Sequence, residues 1–125
     1  MSTQSIDYDG VLQANLKRVF GERDAALRVR AIAELYADDA TLYEPHDSVT
    51  GHAAINQAVE ALLSSLPPSF VFEAIGPAVG HHGMARLRWQ SGPPSGPVAV
   101  TGTDVARIEG GRIQTLHVFL DPPGA

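Results

Sequence analysis

With 125 residues, 44% of them hydrophobic and 18% charged, the chain is long enough for one domain with a real core and too short for two, so a single domain over residues 1–125 is expected. Nine basic residues against fourteen acidic ones give a net charge of −5, with the arginines scattered and Lys17 the one lysine; a nucleic-acid binder needs a concentrated basic face, so the expected partner is a small molecule. No apolar run approaches the roughly 18 residues of a membrane-spanning helix, "MSTQSIDYDG" lacks the features of a secretory signal, and there is no cysteine for a disulfide, thiolate metal site or nucleophile, so the expectation is a cytoplasmic protein that engages no membrane.

The first half reads as helix. Leu12, Leu16, Val19 and Phe20 recur at helical spacing, and after the short break "GERD" so do Val29, Ile32, Ala33 and Tyr36. The second helix is expected to end near "ADDA", followed by a short strand "ATLYE" closed by Pro45. The loop "PHDSVTG" then leads to a third helix with Thr50 as N-cap and Ile55, Val59, Leu62, Leu63 and Leu66 as its apolar stripe, stopped by Pro67 and Pro68.

The second half reads as strand. "FVFEAIG" and "MARLRWQ" are the first two, the latter with Ala85, Leu87 and Trp89 opposite Met84, Arg86 and Arg88. "SGPPSGP" is a turn-rich connection. "VAVTGTDVARI" and "RIQTLHVFL" form a hairpin through "EGG". Helices followed by an antiparallel meander make an α+β protein. Three helices on one face of a curved sheet leave a concave pocket between the layers, and the other face must meet solvent or another subunit.

Two carboxyl groups fall on the apolar phase of their strands. Val98, Val100, Gly102, Asp104, Ala106 and Ile108 point one way, and Ala40, Leu42 and Glu44 share a phase in "ATLYE". A carboxyl facing a core is costly. Two of them entering one interior would yield an ionised base beside a protonated donor, the pairing suited to moving a proton next to a carbonyl. The plainer reading of Asp104 is a structural anion holding backbone or threonine donors. For Glu44 it is a strand end that a register error of one residue would expose. Trp89, Phe20 and Leu116 are expected to line the cavity. His46, in the loop after Glu44, and His82, one of the "GHHG" pair at a strand start, are candidate rim groups. His117 shares the outward phase. Neighbouring histidines on an extended strand cannot both ligate one metal and no third ligand is suggested, so neither metal nor cofactor is expected. No phosphate loop or nucleophile elbow occurs.

"LYADDATLYEP", "GHAAI" and "TGTDVARIEGGRI" resemble, in order and spacing, the nuclear-transport-factor-2-like superfamily, particularly its SnoaL-like and ketosteroid-isomerase-like members, over residues 25–121. The resemblance implies a cone: helices packed on a strongly curved antiparallel sheet, a small-molecule pocket inside, and dimers formed through the sheet's outer face. It also implies roles, since Glu44 falls where the steroid isomerases carry a proton-shuttling Asp and Asp104 where they carry the protonated Asp of an oxyanion hole. Two features depart from known members. Leu16, Val19 and Phe20 occupy the helix face that bears the isomerases' tyrosine, and Gly102 stands where epoxide hydrolases of this fold have an Arg. The expectation is therefore an acid/base enzyme without cofactor, of isomerase, cyclase or dehydratase type, acting on a small apolar carbonyl compound. Asp104 and Glu44 would be catalytic. The alternative is a ligand-binding or dimerisation module of the same fold. The outward-phase residues Met84, Arg86, Arg88, Thr101, Thr103, Val105, Thr115, His117 and Phe119 are too apolar for a comfortable solvent surface and suit a homodimer interface.

Overall fold

The computed structural model describes residues 6–122. Helix α1 (Tyr8–Asn15) starts at Asp7, whose carboxylate accepts the Gly10 amide, and runs directly into a π-helical turn, Leu16–Phe20. Leu12, Leu16, Val19 and Phe20 are all buried, as their spacing predicts. Asp24 caps α2 (Ala25–Leu35) by accepting from the Ala26 and Leu27 amides.

Periodicity misplaces part of the buried face of α2. Ile32 and Tyr36 are buried as expected, but Val29 and Ala33 are exposed, and Arg28 and Ala31 take their place inside. The reason is that the Arg28 guanidinium finds partners inside. Its Nε donates to Asn56 Oδ1 at 2.8 Å and its Nη1 to the Glu22 carbonyl at 2.6 Å, while Nη2 lies 3.1 Å from Glu60 Oε1. Asn56 and Glu60 belong to α3 (His52–Ser65), so a charged side chain clamps two helices together. The helix also ends earlier than expected. Tyr36 already opens strand β1 (Tyr36–Glu44), which absorbs "ADD".

The expected loop before α3 is largely strand β2 (Asp47–Thr50), which pairs back on β1 from Glu44↔Asp47 to Thr41↔Thr50. Thr50 is thereby engaged across the hairpin, its hydroxyl 2.9 Å from that of Thr41, and does not cap α3. Gly51 takes the capping position at φ 93, where a side chain would be strained.

The remaining strands are β3 (Val71–Ala74), β4 (Val79–His81), β5 (Met84–Gly92), β6 (Val100–Glu109) and β7 (Arg112–Leu120). They build a curved sheet in the order β2-β1-β7-β6-β5-β3, with β4 continuing along β5 beyond β3. Every pairing is antiparallel except β1 with β7. The "EGG" hairpin closes on Gly110 and Gly111, both at positive φ. The α1 helix packs on β5, and α2 and α3 pack on β1, so the core lies between the helices and the concave sheet face. Among the described residues no helix is long and apolar enough to cross a membrane.

Candidate active site

The strand register lines up the interior in rows. Leu87 of β5 faces Asp104 of β6, Asp104 faces Val118 of β7, and the parallel β1 pairing brings Glu44 level with Val118. The two carboxyl-bearing residues therefore stand in one row, two strands apart on the same face. At about 4.8 Å per strand their Cα atoms are separated by roughly 10 Å, with the side chains entering the space between. One row further out lie Trp89, Gly102 and Leu120, and beyond them Ser91 and Val100.

These rows wall a cavity of about 250 Å³. Leu16 and Phe20 of the π-helical turn, Leu62 and Leu66 at the end of α3, and Phe72 of β3 close it from the other sides. Among its lining residues the polar side chains are Asp104, Glu44, Ser91 and the Trp89 indole; the rest is hydrocarbon. Asp104 lies toward the floor, 2% exposed, whereas Val100 and Leu120 at the outer rows are 36% and 52% exposed.

Asp104 reaches its position through a glycine. A Cβ on Gly102 would collide with the Trp89 ring and stand 2.6 Å from the Phe119 carbonyl oxygen. Without it the indole packs against Gly102, and its Nε1–H donates to Asp104 Oδ1 at 2.9 Å. Burial lifts the Asp104 pKa from 3.8 to about 7, against the opposing pull of the Trp89 bond. A single neutral donor does not replace the water an ionised carboxylate loses, so desolvation wins. Nearby, Tyr36 is fully buried and donates to Asn15 Oδ1; burial and the Asp104 charge hold its phenol well above the ordinary range. Glu44 is half-buried, and its carboxyl is raised by burial and by Asp47 across the hairpin.

Of the residues expected at the site, Asp104, Glu44, Trp89 and Phe20 line the cavity. Three do not. Leu116 is fully buried in the core, one row below the floor, where Ala106 faces it. His46 is exposed in the two-residue turn between β1 and β2, which carries it away from the cavity. His82 does not start a strand. With Gly83 it forms the β4–β5 turn at φ 52, exposed, its Nδ1 2.9 Å from that of His81. The sequence reading missed Ser91, Gly102 and Phe72. Gly102 was visible as the small residue on an inward phase two positions from Asp104, but only the strand register shows which ring it accommodates. Among the described residues no three His, Asp or Glu side chains gather as metal ligands would.

A family model described as SnoaL-like domain matches residues 16–116. Among solved structures, a candidate isomerase of the SnoaL-like family from Agrobacterium tumefaciens superposes with a TM-score of 0.84 at 26% identity, covering 92% of this chain and 97% of its own. A candidate polyketide cyclase from Sinorhizobium meliloti gives 0.68 at 22% identity over 93% and 99%. A candidate ketosteroid isomerase from Kribbella flavida gives 0.68 at 12% over 94% and 83%. The latter two likenesses are of fold alone. A search of curated proteins finds no match.

Proposed function

The chain belongs to the SnoaL-like domain family, and from that premise we propose that it is a cofactor-independent acid/base enzyme, of isomerase, cyclase or dehydratase type, acting on a small apolar carbonyl compound. The observation that carries this is Asp104: a carboxyl 2% exposed, facing a cavity walled mostly by hydrocarbon, with a pKa of about 7. A carboxyl that keeps its proton to neutral pH can donate a hydrogen bond to a carbonyl oxygen as negative charge develops there. Glu44, in the same row and more exposed to water, is the base. It takes a proton from the carbon next to the carbonyl; the C–H electron pair becomes the C=C bond of an enol(ate) whose oxygen Asp104 holds. Return of the proton from Glu44 to a different carbon completes an isomerisation, and its transfer to a β-hydroxyl, which leaves as water while the enolate re-forms the carbonyl, completes a dehydration. The apolar walls exclude water and strengthen both interactions.

A second reading has one observation in its favour. Asp104 already accepts the Trp89 indole N–H, so it could serve to fix that ring in the wall of a pocket that only binds. Hydrogen–deuterium exchange separates the two. Small cyclic ketones in D2O are expected to exchange their α-protons faster with the protein than without it, and Glu44→Gln and Asp104→Asn should each remove most of the acceleration. Exchange at the buffer rate with the parent protein across such ketones would reject the catalytic reading.

The working unit we propose is a homodimer formed through the outer sheet face. There Tyr43 and His117 stack at 4.4 Å, Phe119 continues the stack at 6.4 Å, and Phe119 and Met84 are 55% and 43% exposed. An aromatic strip of that kind is costly to leave in water.

A further inference from the structure

The cavity contains a polar group that the acid/base scheme leaves idle. Ser91 stands on the inward phase of β5, lines the cavity and is 4% exposed, yet its hydroxyl has no hydrogen-bond partner among the described residues. Burying a hydroxyl without a partner is costly, and an alanine would fill the same place without that cost. The hydroxyl turns on the single torsion χ1, so a change of rotamer alone would bring it to an occupant of the cavity. Its position is also informative. Ser91 faces Val100, four residues along β6 from Asp104, which is roughly 13 Å of strand, with the Trp89 ring in the row between them and Phe72, across from Ser91 on β3, packed edge-on against that ring.

We infer that Ser91 recognises a second oxygen of the substrate, so that the molecule is elongated and bifunctional: a carbonyl at Asp104, an apolar middle against Trp89, Phe72 and Phe20, and a hydroxyl or carbonyl near the outer end. The cavity of about 250 Å³ falls just below the usual range for drug-sized ligands, about 300–1,000 Å³, which limits the middle to one or two rings. The inference rests on the cavity being the substrate site. It adds what that reading does not specify, namely where on the substrate the second polar group sits.

Trp89 is the chain's one tryptophan and lines the cavity, so quenching of its emission reports occupancy whether or not the ligand is turned over. The probes are phenylcyclohexanone and its para-hydroxyphenyl counterpart, which differ by one hydroxyl at the end away from the ketone. The hydroxylated ketone should bind the parent protein about tenfold more tightly, the effect of one net hydrogen bond. In Ser91→Ala the two should bind alike, with the unsubstituted ketone unaffected, and the variant should melt no lower than the parent because a partnerless hydroxyl has been removed. Equal binding of the pair by the parent, a preference that survives in Ser91→Ala, failure of both ketones to quench, or a lowered melting temperature in Ser91→Ala would each overturn the inference. If the preference is intact but α-proton exchange is absent, the acid/base reading falls and the Ser91 inference stands.

Discussion

Replacing Asp104 by Asn tests the electrostatics of the site without any substrate. The folded protein binds the Asp104 proton more tightly than the unfolded chain does, because burial disfavours the charged form. Below pH 3.8 the group is protonated in both states and contributes nothing to the balance. Between 3.8 and about 7 the unfolded chain ionises it while the fold resists, so the parent protein loses stability as pH rises; above about 7 the loss is constant. Each tenfold difference in proton affinity is worth about 1.4 kcal/mol, which caps the loss at about 4 kcal/mol. Asn has the same shape and keeps an oxygen for the Trp89 N–H, but it does not titrate. Its own amide N–H groups introduce an offset of up to about 1–3 kcal/mol if unmet, and that offset is the same at every pH. The quantity to follow is therefore the difference in unfolding free energy between Asp104→Asn and the parent, from urea melts between pH 4 and pH 9. It should shift in favour of the variant by about 3–4 kcal/mol from pH 4 to pH 7 and then level off. A difference that does not change with pH, or that moves against the variant as pH rises, would refute the reasoning.

Three further outcomes are expected. If Asp104 is the donor and Glu44 the base, kcat/KM for any turned-over ketone falls as pH rises through about 7; a rate that instead rises through 7 would exchange their roles. Gly102→Ala forces the Trp89 ring off β6, with a loss of about 1–3 kcal/mol and an altered tryptophan emission, and an unchanged spectrum would contradict the packing. Phe119→Glu, on the exposed aromatic strip, should convert a particle of twice the chain mass into one of single mass by light scattering, and a monomeric parent would remove the dimer.

How much of this was readable beforehand depended on whether neighbours along the chain or neighbours across the sheet decide the outcome. Asp104 and Glu44 were placed on the inner face from strand alternation alone, because a period of two needs no knowledge of the partner strand. On α2 the pattern finds Ile32 and Tyr36 but not Arg28, because Arg28 counts as polar in any pattern, while its actual environment is set by Glu22, Asn56 and Glu60, the latter two on another helix. Ser91 was hidden at the edge of "SGPPSGP", a composition that signals turn, although β5 runs through it to Gly92. The parallel contact of β1 with β7, which brings Glu44 into the Asp104 row, joins strands about seventy residues apart and leaves no local trace. His82 precedes Gly83, a pair suited to a two-residue turn, but it becomes one only because Val79–His81 pairs with β5, and so short a strand leaves no period to read.

The central claim is that Asp104 holds its proton to neutral pH inside the cavity. Carbon-13 NMR of protein labelled at the aspartate carboxyl carbons follows this directly, with the Asp104 resonance assigned by its loss in Asp104→Asn. The account predicts one aspartate titrating with a midpoint of about 7, and a midpoint for Asp104 near the ordinary 3.8 would contradict it.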